Sequence, residues 1–274
     1  MDHEHDHEHD DDIFNRGLQF DLATLLQRRR VLGLIAGVGA AGVAGLAAAP
    51  ALAAAKDPAA AAAGAAASCT TTPTEILGPY PGDGSNGPQV LTQSGIVRSD
   101  LRTSFGTGHA TAGGVQLTLN LTVLSAANCA AYSGAAVYLW GCDREGRYSM
   151  YSAGVTQENY QRGVQVADST GKVTFITVFP GCYPGRWPHF HFEVYPNLTK
   201  ATSASGKLKV SQLAFPKDVC QTVYATTGYQ ASVTNLARVS LSTDQVFRDG
   251  YSQQMPTVAG TPQSGYVANL TITV

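Results

Sequence analysis

The alternation of apolar and polar side chains is the clearest structural pattern in this chain. Between residues 115 and 124 every second side chain is apolar and the intervening ones are polar, which is the period of a half-buried β-strand. Shorter runs rich in β-branched and aromatic residues follow at 135–140, 164–166, 173–178, 190–195, 208–215 and 267–274. Short strands separated by loops at this spacing predict an all-β domain folded as an antiparallel β-sandwich.

The segments between these runs predict how they are connected. The turn residues 168–171 lie between the runs 164–166 and 173–178, and this arrangement predicts a β-hairpin. Residues 218–225 and the region around Asn235 predict short helical turns. Long amphipathic helical patterns are scarce, which agrees with an all-β domain.

The first 68 residues differ in composition from the rest of the chain. Three arginines at 28–30 precede an apolar Gly- and Ala-rich run at 31–49, and an Ala-x-Ala site follows at 51–53. This order is typical of an export signal, and the arginines resemble those of a twin-arginine signal. We therefore predict a signal segment at 1–53, a low-complexity Ala-rich linker at 54–68 and the β-sandwich domain at 69–274.

The signal predicts a secreted protein. The apolar run is short and interrupted by glycines, so no stable membrane span is expected; an uncleaved anchor and a lipoprotein-type Cys69 are the alternatives. The 274 residues carry a net charge of −2, and only 14% of them are charged. This composition does not favour nucleic acid or an acidic membrane surface as a partner. The oligomeric state is left open.

Five cysteines are compatible with an exported chain, in which disulfides persist. They are Cys69, Cys129, Cys142, Cys182 and Cys220. An odd number leaves at least one cysteine without an intramolecular partner, and spacing alone does not choose among the pairings. We expect a Cys182–Cys220 bridge.

Candidate chemistry is concentrated between Tyr183 and His191. His189 and His191 are two residues apart in a predicted strand, so both imidazoles point to one face. Such a pair is a common way to present two nitrogen ligands to one metal, the alternative being hydrogen-bonded or surface histidines. Tyr183 and Arg186 come just before the pair, on a turn rich in Pro and Gly.

A second tyrosine, Tyr148, lies on an upstream turn that the intervening strands could bring close to the first. If Tyr148 and Tyr183 share one metal with His189 and His191, two phenolates and two imidazoles favour a hard trivalent ion, and Fe(III) is the natural choice. A phenol with a pKa near ~10 becomes a ligand only when a strong Lewis acid displaces its proton. Glu193, on the face of the histidines, makes a His/His/Glu site the competing hypothesis.

At these residues the chain resembles the intradiol ring-cleavage dioxygenases, the catechol and protocatechuate 3,4-dioxygenase superfamily. The resemblance covers about residues 78–215 and is greatest for the secreted, actinobacterial-type branch. The motifs that carry it are Gly146-Arg147-Tyr148-Ser149, Arg162-Gly163 with Asp168-x-x-Gly171, and Pro180-Gly181-x-Tyr183-x-Gly185-Arg186-x-x-His189-x-His191. Tyr183 and His189 are only six residues apart, whereas the aromatic-acid enzymes have a longer insertion there.

The resemblance implies a β-sandwich that holds non-haem Fe(III) and cleaves a catechol with O2 to a cis,cis-muconate. Tyr148 and His189 would be equatorial ligands, and Tyr183 and His191 axial ligands. Family members bind catechol as a chelate, and the axial tyrosine, here Tyr183, leaves the iron and helps to take a proton.

The resemblance also assigns roles outside the ligand set. Arg186 would stabilise negative charge on the ring during the reaction, and Gln212 matches a glutamine that steadies this arginine. Tyr80 and Arg162 lie in matching segments and are candidates for binding substrate. Trp140 and Trp187 are more typical of core residues than of residues that stack on substrate.

Two other functions compete with the dioxygenase hypothesis. A secreted β-sandwich could bind a metal, an aromatic compound or a glycan without turnover. Loss of one of the four candidate ligands would favour such a binding module, but all four are present. A zinc hydrolase would need a general-base carboxylate near the histidine pair.

Overall fold

Two four-stranded sheets form the core of the protein. The computed structural model describes residues 69–274, so the predicted signal segment (1–53) and linker (54–68) lie outside the described residues. The strands are β1 Gln116–Leu124, β2 Ala136–Trp140, β3 Arg162–Val166, β4 Lys172–Val178, β5 His189–Tyr195, β6 Lys209–Ala214, β7 Thr257–Thr261 and β8 Gly265–Thr273, and the helices are α1 Lys217–Tyr224 and α2 Gln230–Leu236. One sheet has the order β4-β1-β8-β7 and the other β3-β2-β5-β6. The predicted β-sandwich class is confirmed.

Strand β1 shows why the alternating pattern was informative. Its apolar residues Leu117, Leu119, Leu121 and Val123 have no exposed surface, while the residues between them are partly or fully exposed. Strand β5 differs, because all seven of its residues are buried. It lies between β2 and β6 in its sheet, and both of its faces are covered.

The predicted hairpin at residues 168–171 is wrong. Strand β3 pairs with β2, whereas β4 pairs with β1 over seven residue pairs in the other sheet. The turn itself is formed as expected, since the Asp168 carboxylate accepts the N–H groups of Thr170 and Lys172. This local chemistry is the same for a hairpin and for a crossover, so only the more distant partner strands decide between them. The sandwich is also not wholly antiparallel, because β1 and β8 run parallel.

The disulfide joins Cys69 to Cys129, with their Cα atoms 5.4 Å apart. The predicted Cys182–Cys220 bridge is wrong: these two cysteines and Cys142 are buried free thiols. Burial raises the pKa of Cys182 to about 12, so this thiol stays protonated and unreactive near neutral pH. Sequence spacing carried no information about which cysteines meet in the fold.

Removing the Cys69–Cys129 bridge is expected to destabilise the domain by about 3 kcal/mol. The bridge links residues 60 positions apart, and its loss enlarges the conformational freedom of the unfolded chain. Urea unfolding of a Cys69→Ala/Cys129→Ala variant measures the change in free energy, with Cys220→Ala as the control for loss of a buried sulfur without a bridge. Equal unfolding midpoints for the native protein with and without reductant would contradict the pairing.

Among residues 69–274, none of the helices combines the length and the apolar character that a membrane crossing requires.

Candidate active site

Strand β5 places His189 and His191 on the same face, as the two-residue spacing predicted. The ring of Phe190 points the other way, towards Phe215 and over Gly141, where an added Cβ would lie 2.4 Å from the phenyl ring. Both imidazoles are only 2% exposed. Their Nε2 atoms are 3.1 Å apart, so the two ring nitrogens face one point.

Two tyrosines from separate turns reach the same point. Tyr148 follows β2, and its hydroxyl oxygen lies 3.4 Å from Nε2 of each histidine. Tyr183 precedes β5, and its hydroxyl oxygen lies 3.2 Å from Nε2 of His189. Tyr148 is buried and Tyr183 is half-buried, so the second phenol lies on the more accessible side. The structure thus brings together the four residues predicted as ligands.

Direct backbone contacts hold the two tyrosine turns against each other. Gly181 N–H donates to the carbonyl of Asp143, and the Asp143 carboxylate accepts N–H groups from its own turn at Glu145 and Arg147. Gly146 has a positive φ of 84°, and a Cβ there would lie 3.1 Å from Cβ of Tyr183. A glycine therefore permits both the turn and the close approach.

The histidine rings are oriented by their surroundings. His189 Nδ1 donates to the carbonyl of Trp187 at 2.5 Å, which leaves its Nε2 free of a proton and facing the tyrosines. His191 stacks on Trp140, with ring centroids 4.8 Å apart and planes 8° from parallel. The edge of the His191 ring packs against Gly78, where an added Cβ would lie only 2.9 Å from Cε1 of His191. A backbone carbonyl that accepts the second ring N–H, as that of Trp187 does from His189, is typical of the groups that orient metal-binding histidines.

Burial determines the protonation of His189, His191 and Tyr148 in the protein alone. It lowers the pKa of His189 to about 3, helped by the nearby positive charge of Arg186, and lowers the pKa of His191 well below its usual value. Burial, together with the neighbouring Tyr183, raises the pKa of Tyr148 well above 10. The site therefore contains neutral imidazoles and a protonated Tyr148, and only a bound cation would favour a phenolate at that position.

The competing His/His/Glu site is not assembled. Glu193 accepts hydrogen bonds from Lys207 and from Tyr195, both at 2.5 Å, and burial raises its pKa to about 7. Within residues 69–274, His, Cys, Asp and Glu side chains form no group of three or more that could hold a metal. A zinc site of the usual composition is therefore not present in this part of the chain.

Arg186 is buried beside the ligand set and is held on two sides. Its Nη2 donates to Oε1 of Gln212 at 2.7 Å, and its Nε donates to Asp244 at 3.0 Å. The contact with Gln212 is the one that the family resemblance implied. Asp244 was missed, because it lies 58 residues from Arg186 in the sequence and no local motif marks it.

We call the four candidate ligands Tyr148, Tyr183, His189 and His191 the quartet. Of the two candidates for binding substrate, only Tyr80 lies beside it. Its ring centroid is 4.9 Å from that of Tyr148, and it is partly exposed. Arg162 has no exposed surface, and all five of its N–H donors bind protein atoms. Its acceptors are Ser149 Oγ, the carbonyls of Tyr80, Pro81 and Ser149, and the hydroxyl of Tyr138.

The proposed contact between Arg162 and substrate is therefore corrected. This guanidinium binds the segment that carries Tyr80 to the turn that carries Tyr148, so it positions residues around the site instead of facing it. Trp140 and Trp187 are both buried, as expected for core residues. Trp140 supports His191, and Trp187 donates to the carbonyl of Phe215.

Comparison with known proteins agrees with this geometry. Residues 86–219, which include the four candidate ligands, match the family model Dioxygenase_C, described as dioxygenase. The resemblance to the intradiol ring-cleavage dioxygenases is confirmed by this match and by the fold. The family match and the fold support cleavage of catechol-type rings in general. No curated protein matches this chain in sequence.

Solved structures show the same fold. The intradiol ring-cleavage dioxygenase from Tetranychus urticae superimposes with a TM-score of 0.59 at 23% identity, covering 75% of this chain and 94% of that one. The crystal structure of dioxygenase Tetur07g02040 gives a TM-score of 0.55 at 24% identity, covering 68% of this chain and 89% of that one. The ligand roles of Tyr148, Tyr183, His189 and His191 stay a prediction.

Proposed function

We propose that this chain is a non-haem Fe(III) intradiol dioxygenase that cleaves catechols with O2 to products of the cis,cis-muconate type. The observation that carries the proposal is the meeting of two phenol oxygens and two imidazole nitrogens at one buried point. The Tyr148 oxygen lies 3.4 Å from both Nε2 atoms, the Tyr183 oxygen lies 3.2 Å from Nε2 of His189, and the two Nε2 atoms are 3.1 Å apart. Catechol and O2 are the proposed partners.

The residues present fit ferric iron. Two imidazoles supply neutral nitrogen donors, and two phenols that become anionic on losing their protons supply negatively charged oxygen donors. This set suits a hard trivalent cation better than zinc or Fe(II), which usually take carboxylate or thiolate with histidine. Ferric iron, when bound, would supply the Lewis acidity that displaces the phenol protons and binds a deprotonated catechol.

Tyr183 is the residue best placed to exchange a proton with substrate. It is half-buried, whereas Tyr148 is only 1% exposed, so substrate can reach the Tyr183 oxygen with less rearrangement. A phenolate at this position would accept a catechol hydroxyl proton, since the two groups have similar proton affinity. Tyr148, fixed under the rings of Tyr80 and Tyr183, would keep its place.

Arg186 supplies a fixed positive charge beside the site. Its guanidinium is close enough to contribute to the lowered pKa of His189, and it is held before substrate arrives by Gln212 and Asp244. A preorganised cation of this kind stabilises negative charge that develops on an aromatic ring without the cost of reorienting solvent.

The products of catechol oxidation under ¹⁸O2 test the proposed reaction. Intradiol cleavage adds both oxygen atoms to catechol by breaking the bond between the two hydroxylated carbons, which gives cis,cis-muconate with one labelled oxygen in each carboxyl group. Mass spectrometry and NMR of the product of the iron-loaded protein would show this. A ring-opened semialdehyde, or catechol recovered unchanged, would contradict the proposal.

We also propose that the protein is secreted. The support is the signal-like sequence at residues 1–53, together with the Cys69–Cys129 disulfide, because disulfides persist mainly in oxidising compartments. Fractionation of cells that express the full chain tests this, and recovery of the protein only from the cytoplasm would contradict it.

A further inference from the structure

The ion pair between Arg186 and Asp244 is the most deeply buried one among residues 69–274. The two side chains are 6% and 0% exposed. Burial alone opposes ionisation of Asp244, but the charge of Arg186 and the hydrogen bonds outweigh it and lower the pKa of this carboxyl below its usual value. Asp244 lies beyond residues 86–219, the segment that matches the family model.

The Asp244 carboxylate is fixed by its own loop. Oδ1 accepts the N–H groups of Val246 at 2.8 Å and Phe247 at 3.3 Å, and the Asp244 N–H donates to the carbonyl of Ser240. The ring of Phe247 lies 6.5 Å from that of His189, so this loop packs against the candidate site. The carboxylate is thus in place independently of the arginine.

From this fixed position Asp244 holds two groups of the site at once. Oδ2 accepts Arg186 Nε at 3.0 Å and the Trp187 backbone N–H at 2.7 Å. Arg186 Nη2 in turn donates to Gln212, whose Nε2 is anchored on the carbonyl of Ile76. The guanidinium is therefore clamped between a carboxylate and an amide, which removes the rotamer freedom of a long side chain.

The second group is the peptide of Trp187. Its N–H is held by Asp244, and its carbonyl accepts Nδ1–H of His189. The Asp244 carboxylate therefore binds Arg186 directly. Through the Trp187 peptide it is also linked to His189, whose Nδ1–H bond to that peptide leaves Nε2 facing the other candidate ligands.

We propose that Asp244 is a positioning residue that holds the Arg186 guanidinium in the orientation the reaction needs. The inference rests on the proposed function, in which Arg186 stabilises negative charge on the ring. Asp244 acts through Arg186 and does not contact the four candidate ligands.

Asp244→Asn tests this inference. It keeps the shape of the side chain but replaces one carboxylate oxygen, which accepts hydrogen bonds, with an amide NH2 group, which donates them. We expect kcat of the iron-loaded variant to fall by about 10- to 100-fold, the range typical of residues that orient others, with KM changed by less than about threefold. Asp83→Asn is the matched control: Asp83 is also buried and paired, but with Lys207.

A double-mutant cycle separates positioning from general structure. If Asp244 acts through Arg186, Asp244→Asn lowers kcat of an Arg186→Met protein by less than about twofold. An equal loss in both backgrounds, or full activity of Asp244→Asn, would overturn the inference.

Hydrogen exchange of the Arg186 Nε–H, followed by NMR in the metal-free protein, does not depend on activity. We expect slow exchange in the native protein and in Asp83→Asn, and exchange at least about tenfold faster in Asp244→Asn. Rapid exchange in the native protein would overturn the inference even if the variant does not fold. If the native protein shows no ring cleavage but this exchange pattern holds, the proposed function fails and the positioning of Arg186 by Asp244 stands.

Discussion

Tyr148→Phe is expected to lose bound iron and to lower kcat/KM for catechol by at least about 10³-fold. The substitution keeps the ring that packs against Tyr80 and removes only the oxygen that lies 3.4 Å from each imidazole Nε2. Groups that act as a unit lose most of their effect when one member is removed, so the remaining three donors do not compensate. Metal analysis after ferric reconstitution and steady-state kinetics measure the two losses.

Tyr224→Phe is the matched control. Tyr224 is also buried, and its hydroxyl donates to the carbonyl of Pro180 at 3.0 Å, outside the quartet. It should keep its iron and remain within about threefold of the native rate. A Tyr148→Phe protein that retains both iron and activity would remove Tyr148 from the ligand set.

Arg186→Lys is expected to lower kcat by about 10²- to 10³-fold while iron content is unchanged. One ammonium group cannot reproduce the fork that reaches Gln212 with Nη2 and Asp244 with Nε, although it keeps the charge. The loss matches what is typical when one preorganised group that stabilises developing charge is removed. Stopped-flow measurement under saturating catechol and O2 separates this effect from substrate binding.

Arg102→Lys serves as the control for an arginine-to-lysine change at the surface, since Arg102 forms an exposed pair with Asp100. Its kcat should be unchanged. If Arg186→Lys is equally active, a positive charge alone is sufficient, and the fixed guanidinium fork that Gln212 and Asp244 clamp is not needed for the reaction.

Local patterns in the sequence predicted most elements of the fold but not all of their partners. Strand β1 was predicted because apolar and polar side chains alternate along its consecutive residues. Strand β7 was missed because Thr257–Thr261 is a largely exposed edge strand with little apolar alternation. The crossover between β3 and β4, the parallel β1–β8 pair and the Cys69–Cys129 bridge depend on residues far apart in the chain, which spacing does not reveal.

The same distinction holds for the candidate site. The two-residue spacing of the histidines on β5 and the position of Tyr183 just before them are local features. Tyr148 lies 41 residues from His189, and the structure brings it to the other three side chains. The role of Arg162 was misjudged because its five acceptors come from three separate segments, around residues 80, 138 and 149. Asp244 could not be found, since only folding brings it to Arg186.

The visible absorption spectrum of the ferric-loaded protein, recorded before and after anaerobic addition of catechol, tests the central claim most directly. Tyrosinate ligands predict a broad charge-transfer band in the blue-green with about one iron per chain, and a shift to longer wavelength when catechol binds. A colourless protein that contains zinc or no metal, and that catechol leaves unchanged even after ferric reconstitution, would contradict the ligand set of Tyr148, Tyr183, His189 and His191.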